Sequence, residues 1–148
     1  MEITIPRPLK LEHEELHAQL FKATKEEGEV GLAAKNVAKI LHNHFIKEEE
    51  YAIPPLSLLT AVSKGNVTSE MKSVLAMTDK LKSDLPHMLE EHKMIVEALD
   101  KLVTVAKKEN KLQYVEFAEK LKLHAQTEEE VMYPAAILVG EYIKFKLK

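Results

Sequence analysis

The stretch His124-Ala125-Gln126-Thr127-Glu128-Glu129-Glu130-Val131-Met132-Tyr133-Pro134 has a counterpart eighty residues earlier, His44-Phe45-Ile46-Lys47-Glu48-Glu49-Glu50-Tyr51-Ala52-Ile53-Pro54. Both read H-x-x-x-E-E-E and reach a proline ten residues after the histidine. A second pair of matches has nearly the same offset: Glu12-His13-Glu14-Glu15-Leu16 against Glu91-His92-Lys93-Met94-Ile95, with Leu20 corresponding to Leu99. The chain therefore reads as two copies of a helix pair, the first helix carrying E-H-x-x-apolar and the second H-x-x-x-E. Because the repeat duplicates histidines and carboxylates as well as leucines, it points to a site built on a two-fold pattern.

Length and composition narrow the class. The 148 residues suit a single domain, residues 1–148, with a core that needs no staple. With 45% hydrophobic and 30% charged residues, four glycines and no tryptophan, the chain favours a helix-rich globular fold over disorder. A net charge of −3 with alternating lysines and glutamates offers no basic stripe for nucleic acid. The lack of cysteine excludes disulfides, thiolate zinc sites, iron–sulfur clusters and cysteine nucleophiles. Residues 1–6 lack the basic start and apolar core of a signal peptide. No apolar run approaches the roughly 18 residues that span a bilayer, so a cytoplasmic location is the expectation.

Apolar periodicity predicts four amphipathic helices. The first covers about 9–27, with Leu9, Leu16, Leu20 and Ala23 as its stripe and Gly28 and Gly31 marking its end. The second covers about 32–53; Val37, Ile40, Leu41, His44 and Glu48 share a face, and Pro54-Pro55 stop or bend the chain. An apolar connector leads from there to a break at Lys64-Gly65-Asn66. In the third region, about 68–108, Pro86 must kink the helix or start a fresh one capped by Ser83 or Asp84. Leu85, Leu89, His92, Val96, Leu99, Val103 and Ala106 keep one register there. The fourth covers about 112–133, with Phe117, Leu121, His124, Glu128 and Val131 facing the same way, and leaves a tail, 136–148, that is apolar and then basic. Short connections imply an all-α, up-down-up-down four-helix bundle with its core in about 9–135 and its third helix kinked at Pro86.

At about 100° per residue, each helix turns one histidine inward: His13, His44, His92 and His124. Glu48 and Glu128 follow their histidines by one turn, so both side chains of each pair reach one cation. His17 lies on the flank of its stripe, while His42 and His87 face away. A core-facing carboxylate needs a partner, and a divalent metal supplies one while keeping the imidazoles neutral. Four imidazoles and two carboxylates exceed the four ligands of one tetrahedral zinc. They fit two metals bridged by Glu48 and Glu128, each capped by two histidines, with iron or manganese suited to such donors. Glu49, Glu50, Glu129 and Glu130 read as a solvated face. One histidine on an apolar stripe is usually a satisfied core residue; the ordered recurrence of six such residues within one internal repeat favours the metal.

This order, H…H-x-x-x-E…H…H-x-x-x-E, with E-H-x-x-apolar openings on helices one and three and E-E-E-x-x-x-P endings on two and four, resembles the hemerythrin-like, or HHE cation-binding, family over about residues 9–135. The resemblance implies a left-handed four-helix bundle around a non-haem di-iron centre, carboxylate-bridged and able to engage a small ligand such as dioxygen. It assigns His13, His44, Glu48, His92, His124 and Glu128 as ligands. Oxygen-carrying members have H-x-x-x-H on the third helix and H-x-x-x-x-D on the fourth. Here Met88 and Val96 stand four residues either side of His92, and Glu128 replaces the aspartate at a shorter spacing. Those departures move the expectation from oxygen carriage towards iron handling, sensing of oxygen or nitric oxide, or peroxide-related redox chemistry.

Tyr51, two turns beyond His44 on the same face, reads as a hydrogen-bond donor at the edge of the site or an extra ligand, and His17 as a further ligand candidate. No catalytic residue is assigned. Three function classes remain. The leading one is a di-iron protein that binds or senses dioxygen or nitric oxide, or handles iron, with manganese or zinc as substitutes. The others are a redox enzyme acting on peroxide or oxygen, and a structural or partner-binding bundle with zinc or no metal. Expected partners are the small ligand and a protein partner or second copy of the chain, with neither nucleic acid nor membrane.

Overall fold

The computed structural model describes residues 2–148, and among them every regular element is helical. Four long helices form the bundle: α1 (Arg7–Thr24), α2 (Gly28–Lys47), α4 (Leu75–Lys108) and α5 (Leu112–Thr127). Between α2 and α4 lie two 3₁₀ turns, Pro54–Leu58 and Ser69–Val74, flanking the short α3 (Leu59–Ser63); α6 (Tyr133–Lys146) follows α5 without an intervening loop. Each long helix packs on the next and α1 closes on α5, so the expected all-α four-helix bundle is what the chain forms. Among the described residues, no helix is long and apolar enough to cross a membrane.

Several boundaries differ from expectation, each for a physical reason. The two glycines that were to end the first helix belong to the second. Gly28 opens α2 with φ +77°, and a Cβ at Gly31 would stand 1.9 Å from the Glu26 carbonyl oxygen. The tight α1–α2 reversal thus requires a bare backbone at position 31. Pro86 starts no fresh helix: α4 runs through it. Ser83 bonds back to the Lys80 carbonyl and Asp84 accepts from Tyr51, so neither acts as a cap. Pro86 is exposed, on the solvent side where a helix tolerates a lost backbone bond most readily. The 136–148 segment is mostly helix, and Val139 and Ile143 are buried against Leu58, Met71 and Val74.

α2 and α5 each run into a π-helical turn, Glu48–Ala52 and Glu128–Met132, in which the N–H of Ile53 and of Tyr133 bonds five residues back to the carbonyl of Glu48 and of Glu128. Pro54 and Pro134 follow directly. Lacking an N–H, each removes the next rung of the α-helical ladder, and the ladder widens just before it. The wider turn re-phases the chain. Val131, expected to face inward, is 59% exposed, while Met132 and Tyr133 are buried.

The core has layers. One apolar cluster includes Leu16, Leu41, Phe45, Ile95 and Leu121; another includes Tyr51, Leu56, Leu81, Met88, Met132 and Tyr133. The inward histidines and glutamates fall between the two along every long helix, for example Met88–His92–Ile95 on α4. A polar layer is thereby enclosed in a low-dielectric interior.

Candidate metal centre

Within that layer His13, His44, His92, His124, Glu48 and Glu128 are all buried. Donor atoms of His13, Glu48, His124 and Glu128 lie within 4.8 Å of one another, and so do those of His44, Glu48, His92 and Glu128. The two groups share both carboxylates. Across them, His92 Nε2 is 2.9 Å from His44 Nε2 and 3.0 Å from Glu128 Oε1, and His124 Nε2 is 3.1 Å from Glu128 Oε2. Although 3.1 Å apart, His124 Nε2 and Glu128 Oε2 are not aligned as a hydrogen bond; they, His13 Nε2 and Glu48 Oε1 are buried without a hydrogen-bond partner. Each such atom costs about 1–3 kcal/mol, and a cation between them removes that cost. The residues fit a pair of metal ions, each taking two imidazoles and a share of both carboxylates.

The outward face of each imidazole is held in the same manner. Nδ1 of His13 meets Glu49 Oε1 at 3.4 Å, Nδ1 of His44 meets Glu91 Oε1 at 3.0 Å, and Nδ1 of His92 meets Glu129 Oε1 at 2.9 Å. Nδ1 of His124 pairs with Glu12. These contacts run from α1 to the end of α2, from α2 to α4, from α4 to the end of α5, and from α5 back to α1, a closed ring in which each helix grips its neighbour. A carboxylate on Nδ1 fixes the tautomer that presents Nε2 inward and raises the ring's basicity. Glu49 and Glu129, read from sequence as solvated, have this second task. Glu12 and Glu91, quoted there only as the E of E-H, share it. The signal was available: both E-H pairs and both E-E pairs recur at the repeat offset, a constraint that a purely solvated face does not impose.

Charge within the layer is tightly coupled. Burial opposes a proton on His44, but the neighbouring carboxylates of Glu128 and Glu48 outweigh it and push the ring up to about 10. Burial likewise opposes His124, which Glu128 and Glu48 carry up to about 9. Burial and the neighbouring Glu128 raise Glu48 to about 8. Glu128 resists its own burial because Glu48 and the imidazoles around it, His124 first, hold it well below the ordinary carboxylate range. Two adjacent carboxylates in a dry site do not both ionise without a cation. A cation entering the site would displace the protons that His44, His124 and Glu48 favour.

Tyr133 was not foreseen at the site. Its hydroxyl is 2.7 Å from Glu48 Oε2, the carboxylate it donates to, and 3.2 Å from both His44 Nε2 and His92 Nε2. α-Helical phasing from His124 selects Val131 and misses Tyr133, which the π-helical turn alone swings inward. Tyr51 is buried close by, but its hydroxyl donates to Asp84 and touches Met88 Sδ, so the structure sets Tyr133 and not Tyr51 against the six residues. His17 is exposed, tilted on Phe45 at 4.6 Å between ring centroids, and is not brought into either group. His42 and His87 are exposed, as expected.

Comparison with known proteins agrees with this geometry. The family model described as hemerythrin HHE cation binding domain matches residues 4–136. Neither the curated proteins nor the solved structures gave a match to the chain.

Proposed function

The chain belongs to the hemerythrin HHE cation-binding family, and on that premise we propose that it is a non-haem di-iron protein that binds or senses a small ligand, dioxygen or nitric oxide. The observation that carries the reading is the pairing of donors: two histidines on each side of the same two carboxylates. An all-nitrogen-and-oxygen set suits iron or manganese, with positions left for an outside ligand. Bound iron would supply redox activity and those open positions. The remaining functions belong to the chain. His13 and His124 would hold one ion, His44 and His92 the other, with Glu48 and Glu128 spanning both. Glu12, Glu49, Glu91 and Glu129 orient the rings. The apolar clusters above and below exclude bulk water and favour small uncharged ligands over charged ones.

The test is metal content per chain by mass spectrometry, on protein loaded anaerobically with ferrous iron, with the optical spectrum followed as each gas is admitted. Two irons and a spectral change that reverses when the gas is removed are expected. One zinc, or no retained metal, refutes the di-iron centre. Two irons with irreversible oxidation would move the reading to iron handling or redox turnover.

A further inference from the structure

The two metal positions are not equivalent. Resting on the two-metal reading above, we propose that Tyr133 is a protein ligand at the position held by His44 and His92 and has no counterpart at the position held by His13 and His124. The phenol oxygen stands 2.7 Å from Glu48 Oε2, 3.2 Å from His44 Nε2, 3.2 Å from His92 Nε2 and 3.5 Å from Glu128 Oε1. Two donors about 2.1 Å from one metal and at right angles to each other are about 3.0 Å apart. Tyr133 keeps roughly that spacing to one donor atom of every residue in the group. A buried tyrosine that only satisfies its hydroxyl needs one acceptor; this one meets all four members of one metal group.

The opposite position is built differently. Its four facing atoms, His13 Nε2, His124 Nε2, Glu48 Oε1 and Glu128 Oε2, have no hydrogen-bond partner. His13 is backed by Phe45, stacked at 4.3 Å and 13°, which offers no oxygen. The internal repeat breaks at this point too: the counterpart of Tyr133 is Ile53, buried in the apolar cluster. A two-fold sequence pattern thus yields one position with a phenol and one without. On ligation the phenol O–H bond gives way to an O–metal bond, the proton leaves to solvent, and no electron is transferred.

The experiment loads wild type, Tyr133→Phe and Tyr51→Phe with iron and oxidises each to the ferric state with ferricyanide. Wild type and Tyr51→Phe should show a visible phenolate-to-iron charge-transfer band, with tyrosinate ring modes in resonance Raman spectra excited within it. Tyr133→Phe should keep its iron and lose the band. Two irons in wild type without the band, or a band that persists in Tyr133→Phe, overturns the ligand assignment and leaves the di-iron reading intact; absence of bound iron overturns both. Should Tyr133→Phe not fold, wild type grown on ring-deuterated tyrosine decides, because unshifted Raman modes refute a tyrosine ligand.

Discussion

Replacing Glu91 by glutamine isolates what an outer carboxylate contributes to the metal centre. Its Oε1 lies 3.0 Å from His44 Nδ1 and its Oε2 2.8 Å from Lys47 Nζ. At 16% exposure it is the most buried of the four carboxylates that hold an imidazole, against 43% for Glu12, 46% for Glu49 and 38% for Glu129. Glutamine keeps an acceptor at nearly the same place and loses the charge, while Lys47, itself partly exposed, can be solvated. A hydrogen bond to a charged group contributes about 1.5–3 kcal/mol and a neutral one about 0.5–1.5 kcal/mol. The difference, about 1–1.5 kcal/mol, corresponds to roughly fivefold to tenfold weaker metal binding. Glu91→Ala leaves Nδ1 without its partner and should cost about 10–100-fold. Anaerobic competition against a chromophoric chelator reads both values. Only one of the two metal equivalents should weaken, because Glu91 touches His44 and neither His13 nor His124. Glu49→Gln, acting across 3.4 Å from a half-exposed position, should change affinity less. Equal weakening of both equivalents, or unchanged binding in Glu91→Ala, would refute the reasoning.

The pH dependence follows from the protons that occupy the layer. His44 raised to about 10, His124 to about 9 and Glu48 to about 8 hold protons at neutral pH that incoming metal must displace. Metal affinity should therefore rise as pH climbs from neutral through about 8 to about 10, with proton release measurable by calorimetry in buffers of different ionisation enthalpy; a pH-independent affinity would contradict it. In the metal-free protein the same raised values mean that folded chain binds more protons than unfolded chain. Its Tm should therefore fall as pH rises through about 8 to about 10, and a Tm that climbs over that window would reverse the sign. Gly140→Ala would place a Cβ 2.1 Å from Thr78 Oγ1 and 2.6 Å from its Cβ, between α6 and α4. Overpacking of about 1–3 kcal/mol should appear in urea denaturation, and an unchanged midpoint would mean that the helices part without cost. His17→Ala should leave metal content unchanged, since the ring is exposed on Phe45; loss of one metal would make it a ligand after all.

Sequence by itself determined the helical class, the polar layer and the six inward residues. These depend on local geometry: an amphipathic stripe at α-helical period, and a carboxylate one turn beyond a histidine. Helical phase separated His44 from His42, and the internal repeat separated Glu48 from an ordinary acidic run. The structure decided what depends on distance across the chain or on departures from α-helical phase. Glu12 meets His124 from 112 residues away, and Glu91 meets His44 from 47; no spacing rule within a helix pairs them. Likewise Gly31 read as a helix end until the carbonyl of Glu26 was found where its side chain would stand. Tyr133 is the sharpest case. Counting at about 100° per residue selects Val131, and one widened turn before Pro134 buries Tyr133 in its place. A local period predicts faces only while the hydrogen-bond ladder stays in step, and here the ladder slips beside the glutamates that would bridge the metals.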